Sequence, residues 1–157
     1  MSTRVALLGL WTPRRLKSWG LERLFPIRDR LAQFAAFTCE HALRALREGD
    51  PEPERLLHRG AFTFGRELRR RARADSERAA LHLARIAYRS LGIDFRARGN
   101  ESVISRCWFA RCYSAPVYRF VSALDRGLIC GLTGFRMIFT GRITECCETC
   151  RGRLEAA

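Results

Sequence analysis

Lysine is nearly missing from this chain: Lys17 stands alone among 29 basic residues, so arginine carries the net charge of +13. A surplus of that size favours acidic partners such as nucleic acid, anionic lipid or a small carboxylate. So complete a choice of arginine also has the look of a genome-wide coding bias, which carries no functional message. No apolar run approaches the roughly 20 residues needed to span a bilayer, which argues against a transmembrane protein. The apolar stretch Val5 to Trp11 follows one basic residue, Arg4, and runs into Pro13-Arg14-Arg15 with no small-residue cleavage site. It is unlike a secretory signal, and the expectation is a cytoplasmic protein. There is no internal repeat and no low-complexity segment. Histidine is confined to His41, His58 and His82, so any cysteine–histidine pair would have to form across the fold.

What is present is ordinary for a globular protein. The 157 residues, 47% hydrophobic and 29% charged, are enough for one domain with a real core. The expected domain spans 1–157, with a helical part over 1–92 and a cysteine-rich α+β part over 93–157.

Thr12 before Pro13 predicts a short first helix, capped by a hydroxyl and opened by proline. Ile27, Leu31, Phe34, Thr38, Ala42 and Leu46 recur at helical spacing up to Gly49-Asp50-Pro51. Asp50-Pro51 starts a third helix, with Leu57, Ala61, Phe64 and Leu68 inward and arginines outward. Gly60 and Gly65 there would admit a second backbone. Asp75 or Ser76 caps a fourth helix, stopped near Gly92. From Ile93 the period falls to two, which predicts a hairpin turning at Gly99-Asn100, with its second arm running from Val103 to Trp108. Ser114-Ala115-Pro116 opens a fifth helix fading near Gly131 or Gly134. Phe135 to Phe139 reads as a strand, Ile143 to Glu145 and Cys150 to Leu154 as two short paired strands, and the last three residues as a frayed tail. The fold class is α+β: N-terminal helices packed on a small antiparallel sheet with strand-strand-helix-strand-strand order.

Six of the seven cysteines fall between Arg106 and Arg153. An odd count with Cys146 and Cys147 adjacent is an awkward start for a disulfide framework, so reduced thiols are expected. Cys107 and Cys112 form C-x4-C, and Cys147 and Cys150 form C-x2-C; together they would supply the four thiolates of a zinc or iron centre. Buried, inert thiols are an equally good reading of the same residues. Cys107 directly follows Arg106, a cation that favours thiolate, and Asp125 on the next helix is a candidate acid or base. Placed toward the end of a long helix, Asp125 would oppose the macrodipole, which hints at a specific partner. The six arginines from Arg66 to Arg78 lack interleaved aromatics, so a solvated helix face fits them better than nucleic-acid binding.

Val103-Ile104-Ser105-Arg106-Cys107-Trp108-Phe109, Leu124-Asp125-Arg126-Gly127 with Gly131-Leu132, Phe135 to Phe139, and a final Cys150 resemble the L-2-amino-thiazoline-4-carboxylic acid hydrolase-like family. The upstream phrase Ala87 to Ile93 suits the helix before its paired strands, and the likeness covers the last two-thirds of the chain. It implies a cysteine after the strand, an aspartate on the next helix and a late cysteine, here Cys107, Asp125 and Cys150. Cys146 stands where a glycine is expected, and Val117-Tyr118 where another cysteine is. The family's named reaction opens a thiazoline ring with water to give an N-carbamoyl cysteine, which implies a carbon–nitrogen hydrolase acting on a small anionic heterocycle. A weaker likeness, to the cysteine-rich C-terminal region of plant-type carotenoid isomerases, implies a redox metal centre.

The leading expectation is therefore a hydrolase site between the fifth helix and the sheet. Cys107 would be its nucleophile, Asp125 its proton carrier, and Cys150 its completing residue, with Arg106 or Arg142 gripping a substrate carboxylate. The rival expectation is a non-enzymatic sensor or binding module holding zinc, iron or an iron–sulfur cluster on Cys107, Cys112, Cys147 and Cys150.

Overall fold

The computed structural model describes residues 27–157. The helix expected at Thr12-Pro13 lies outside them. Helix α1 is Ile27–Glu48, and buries Phe34, Ala35, Thr38, Ala42 and Ala45 at the three- and four-residue spacing of one face. Helix α2 is Glu52–Ala72; Asp50 Oδ1 accepts from the Glu52 N–H at 2.9 Å, so the expected acid does cap the first turn. Helix α3, Glu77–Ser90, is capped by Ser76, whose hydroxyl accepts from the Ala79 N–H at 3.2 Å.

Strands β1 (Asp94–Arg98) and β2 (Glu101–Ser105) form the expected hairpin around Gly99-Asn100. The second strand is shorter than expected, because Trp108 belongs to a 3-10 turn over Trp108–Arg111. Then the expected single fifth helix divides into α4 (Ala115–Val121) and α5 (Ala123–Thr133). The division falls at Ser122. The Ser122 hydroxyl donates to the Tyr118 carbonyl at 2.6 Å, while the Ser122 N–H uses the same oxygen at 2.9 Å. The same back-bond occurs at Thr38 in α1 and at Thr63 in α2 without a break, so it accompanies the division and does not by itself account for it.

Strand β3 is Phe135–Gly141. Ile143–Glu145, expected as a strand, is a 3-10 turn instead. Its would-be partner is taken elsewhere: strand β4, Cys150–Ala156, lies between β2 and β3 and pairs antiparallel with both. The sheet order is β1-β2-β4-β3, and the tail expected to fray is the end of β4. Phe95, Ser102, Ile104, Met137, Cys150 and Leu154 fill the covered face, and alternate along their strands with exposed or half-exposed residues.

Helix α5 is the internal element, with Gly127, Leu128, Ile129, Gly131 and Leu132 all buried. It crosses α2 at backbone distance. A methyl group at Gly131 would meet the Phe62 carbonyl oxygen at 2.1 Å, one at Gly127 the His58 oxygen at 2.2 Å, and one at Gly65 the Leu128 oxygen at 2.6 Å. Only glycine permits this contact. The crossing is clamped by an ion pair between Arg126 on α5 and Glu54 on α2. Helix α3 packs on α5 and β1, and α1 on α4, so one apolar cluster draws on both the helical and the cysteine-rich parts.

Candidate functional site

The break at Ser122 changes the meaning of Asp125. Sequence spacing places it near the end of a long helix, whereas it occupies the first turn of α5, where the helix dipole favours a negative charge. Its carboxylate accepts a hydrogen bond from the Tyr88 hydroxyl on α3, at 2.7 Å to Oδ1. Even so, burial raises the carboxyl to about 6, against the lowering effects of the Tyr88 bond and of the Arg126 and Arg142 charges. A carboxyl in that range holds or releases a proton near neutral pH.

Tyr88 itself is pushed well above an ordinary phenol, first by burial and then by the adjacent carboxylate. It therefore stays protonated and donates to Asp125. Phe95 stacks on it with ring centroids 5.0 Å apart, fixing the ring.

A second tyrosine organises the thiols. The Tyr118 hydroxyl on α4 lies 3.3 Å from Cys107 Sγ, to which it donates, and 3.2 Å from Cys150 Sγ. Cys150 is held from the other side by the Ile143 N–H at 3.4 Å. Both thiols are buried, and burial raises both, Cys107 to about 11. They rest as neutral thiols, so a thiolate at Cys107 has to be generated during reaction by transfer of its proton to a base. Tyr118 is likewise raised by burial and then by Cys107.

These groups meet at a pocket of about 510 Å3. Cys107, Tyr118, Tyr88 and Asp125 are on its polar lining, together with Tyr113, Ser90 and Ser122. Leu31, Phe34, Leu83, Phe109, Val121 and Leu128 are among the apolar residues that enclose it. The combination of an apolar enclosure with a few convergent polar groups is that of a small-molecule site. Cys150 is not on the lining, and reaches the site through the Tyr118 hydroxyl.

The other expected site residues go elsewhere. Arg106 is exposed, has a left-handed backbone with φ 55°, and lines a separate hollow beyond β1. Its charge does not hold Cys107 as thiolate. Arg142 lies with its guanidinium 4.6 Å over the Phe139 ring, and it pairs with Glu145 at 3.6 Å. It is absent from the pocket lining too, although its charge lowers both Asp125 and Cys150. Cys112 is exposed and turned toward the Trp108 carbonyl, and Cys147 sits in the turn after β3, beside Gly141. The four-thiolate centre drawn from C-x4-C and C-x2-C is therefore not assembled. Among the described residues, no group of three or more His, Cys, Asp or Glu side chains is placed to hold a metal ion. Nor is any helix there long and apolar enough to cross a membrane.

Tyr88 and Tyr118 are the residues of the candidate site that sequence reasoning missed. The available signal was their place on inward stripes, since a buried tyrosine needs a partner for its hydroxyl. In comparisons with known proteins, no family model, curated protein or solved structure matches this chain.

Proposed function

We propose that the pocket is a hydrolase site acting at a carbon–nitrogen double bond of a small heterocycle. The observation that carries this reading is the shared lining of a thiol, Cys107, and a carboxyl titrating near neutrality, Asp125, within one apolar enclosure. The resemblance to thiazoline-carboxylate hydrolases supports the same chemistry. In that reaction water adds at the amidine carbon and the ring carbon–sulfur bond breaks, while both nitrogens stay on the carbon.

In the proposed sequence, ionised Asp125 takes the Cys107 proton as sulfur bonds to the amidine carbon, and the carbon–nitrogen π electrons move to the ring nitrogen. Protonated Asp125 returns that proton to the nitrogen. The ring sulfur then leaves as a thiolate, and water adds to the adduct carbon and displaces Cys107, its two protons going one to the Cys107 sulfur and one to the product thiolate, to complete the carbamoyl product. Tyr88 positions Asp125, and Tyr118 supplies a hydrogen bond to the departing or returning sulfur of Cys107. No arginine is on the described lining, which favours a largely apolar substrate over the anionic one expected from the resemblance. Should a carboxylate be present, Arg126 and Arg142 are the cations whose field reaches the site.

The test is ring opening of L-2-amino-thiazoline-4-carboxylic acid and of its uncharged analogues by the wild type, Cys107→Ser and Asp125→Asn. The expected result is turnover of at least one thiazoline by the wild type, with the uncharged analogues preferred, and loss of turnover in both folded variants. Wild-type rates in Cys107→Ser, or no ring opening of any thiazoline, would overturn the reading.

A further inference from the structure

The second hollow, about 320 Å3 in volume, lies between the C-terminal half of α3 and the edge of the sheet, and Arg85, Arg89, Arg96 and Arg106 all line it. Arg85 and Arg89 are four residues apart on α3 and so project from one side of the helix. Arg96 comes from β1, the edge strand, and Arg106 from the residue after β2. The lone carboxylate on the lining is Asp94, which pairs with Arg96 at 3.0 Å and also accepts from the Ser105 hydroxyl at 3.3 Å. Arg85, Arg89 and Arg106 have no carboxylate within ion-pair distance among the described residues.

Arg106 is near enough to help lower the Asp94 carboxyl, but Asp94 is already paired with Arg96, so four guanidiniums face one carboxylate around the concavity and repel one another. Gathering them costs stability unless an anion is shared among them. The backbone adds to that cost, since Arg106 holds a left-handed conformation that is uncommon outside glycine, asparagine and aspartate. A planar guanidinium fork matches two oxygens of a phosphate, and several forks at different angles match its tetrahedral shape.

We propose that this hollow binds the phosphate group of a small phosphorylated ligand, with Arg85, Arg89 and Arg106 as its contacts and Arg96 held in reserve by Asp94. The concave form favours a compact phosphate or pyrophosphate over a nucleic-acid strand, which needs an extended basic track with stacking platforms. The open face of the sheet interrupts its arginines with Glu101 and Glu155, and pairs Arg153 with Glu155 at 3.3 Å.

The experiment is calorimetric titration of the full chain with inorganic phosphate, pyrophosphate and a single-stranded oligonucleotide, repeated on Arg89→Gln, Arg106→Gln and the control Arg136→Gln. Arg136 is an exposed arginine on β3 that lines neither hollow. The expected result is saturable pyrophosphate binding, weakened about tenfold or more by Arg89→Gln and by Arg106→Gln and unchanged in Arg136→Gln. Equal weakening in all three variants, no saturable phosphate or pyrophosphate binding, or oligonucleotide binding that persists in Arg89→Gln and Arg106→Gln while pyrophosphate binding is absent would each overturn it. Thiazoline turnover is read separately, so failure here is distinct from failure of the hydrolase reading.

Discussion

Replacing Asp125 with asparagine should make the protein's stability depend on pH differently, in a direction fixed by the site. The folded-state carboxyl titrates at about 6 because burial disfavours its charge, while an unfolded aspartate titrates near 3.8. Between these two values the native state holds a proton that the unfolded chain has released. Stability must then fall as pH rises through this window, and stay lower above it. Each pH unit is worth about 1.4 kcal/mol, so the ionised carboxylate lowers the stability of the wild type by about 2–3 kcal/mol at pH 7.5 relative to pH 4. Asparagine has nearly the shape of the neutral acid, keeps an acceptor for the Tyr88 hydroxyl, and has no charge to desolvate. Urea denaturation of both proteins from pH 4 to pH 7.5 is the assay. The advantage of Asp125→Asn should grow across the range by about 2–3 kcal/mol, a relative midpoint shift on the order of 1 M urea, with most of the change complete by about pH 6.5. Parallel curves would refute the reasoning, since they would mean a solvated carboxyl. So would a wild type that gains on the variant as pH rises, which would mean that hydrogen bonds and arginine charges outweigh burial.

Gly131→Ala places a methyl group 2.1 Å from the Phe62 carbonyl oxygen, and since neither backbone yields cheaply the variant should lose at least about 1–3 kcal/mol in chemical denaturation; an unchanged midpoint would contradict the close α2–α5 crossing. Tyr118→Phe removes the hydroxyl whose bond to sulfur lowers Cys107, so the thiol should titrate still higher than about 11, and a pH profile of Cys107 alkylation should shift upward, whereas no shift or a downward one would discount the bond.

The helices and the hairpin were legible because their signals are local. Apolar spacing from Leu31 to Leu46, the Ser76 cap and the change of period at Ile93 each act within a few residues. The split of the fifth helix was not legible in the same way. Val117, Val121, Leu124 and Leu128 keep their spacing straight through Ser122, so nothing in the apolar pattern announces the break between α4 and α5. The break places Asp125 in the first turn of α5, at the favourable end of a helix dipole. Strand pairing was lost for a different reason: Ile143 to Glu145 has enough apolar character for a strand, but β4 finds longer partners in β2 and β3. Of the candidate site, Cys107 and Asp125, singled out by residue type and order, both line the pocket, and Cys150 meets Cys107 through Tyr118. Spacing could not separate Cys107 and Cys150 from Cys112 and Cys147, since C-x4-C and C-x2-C record distance along the chain and say nothing of which sulfurs converge. Arg106 lines the second hollow while the adjacent Cys107 lines the first, a separation that adjacency in the chain does not reveal.

The most direct test of the reactive pocket is acid-quenched mass spectrometry during thiazoline turnover, with the modified peptide located. A transient adduct on Cys107 that is missing from Cys107→Ser is the expected result. Turnover with no covalent species, or with the adduct on an exposed thiol such as Cys112 or Cys146, would contradict it.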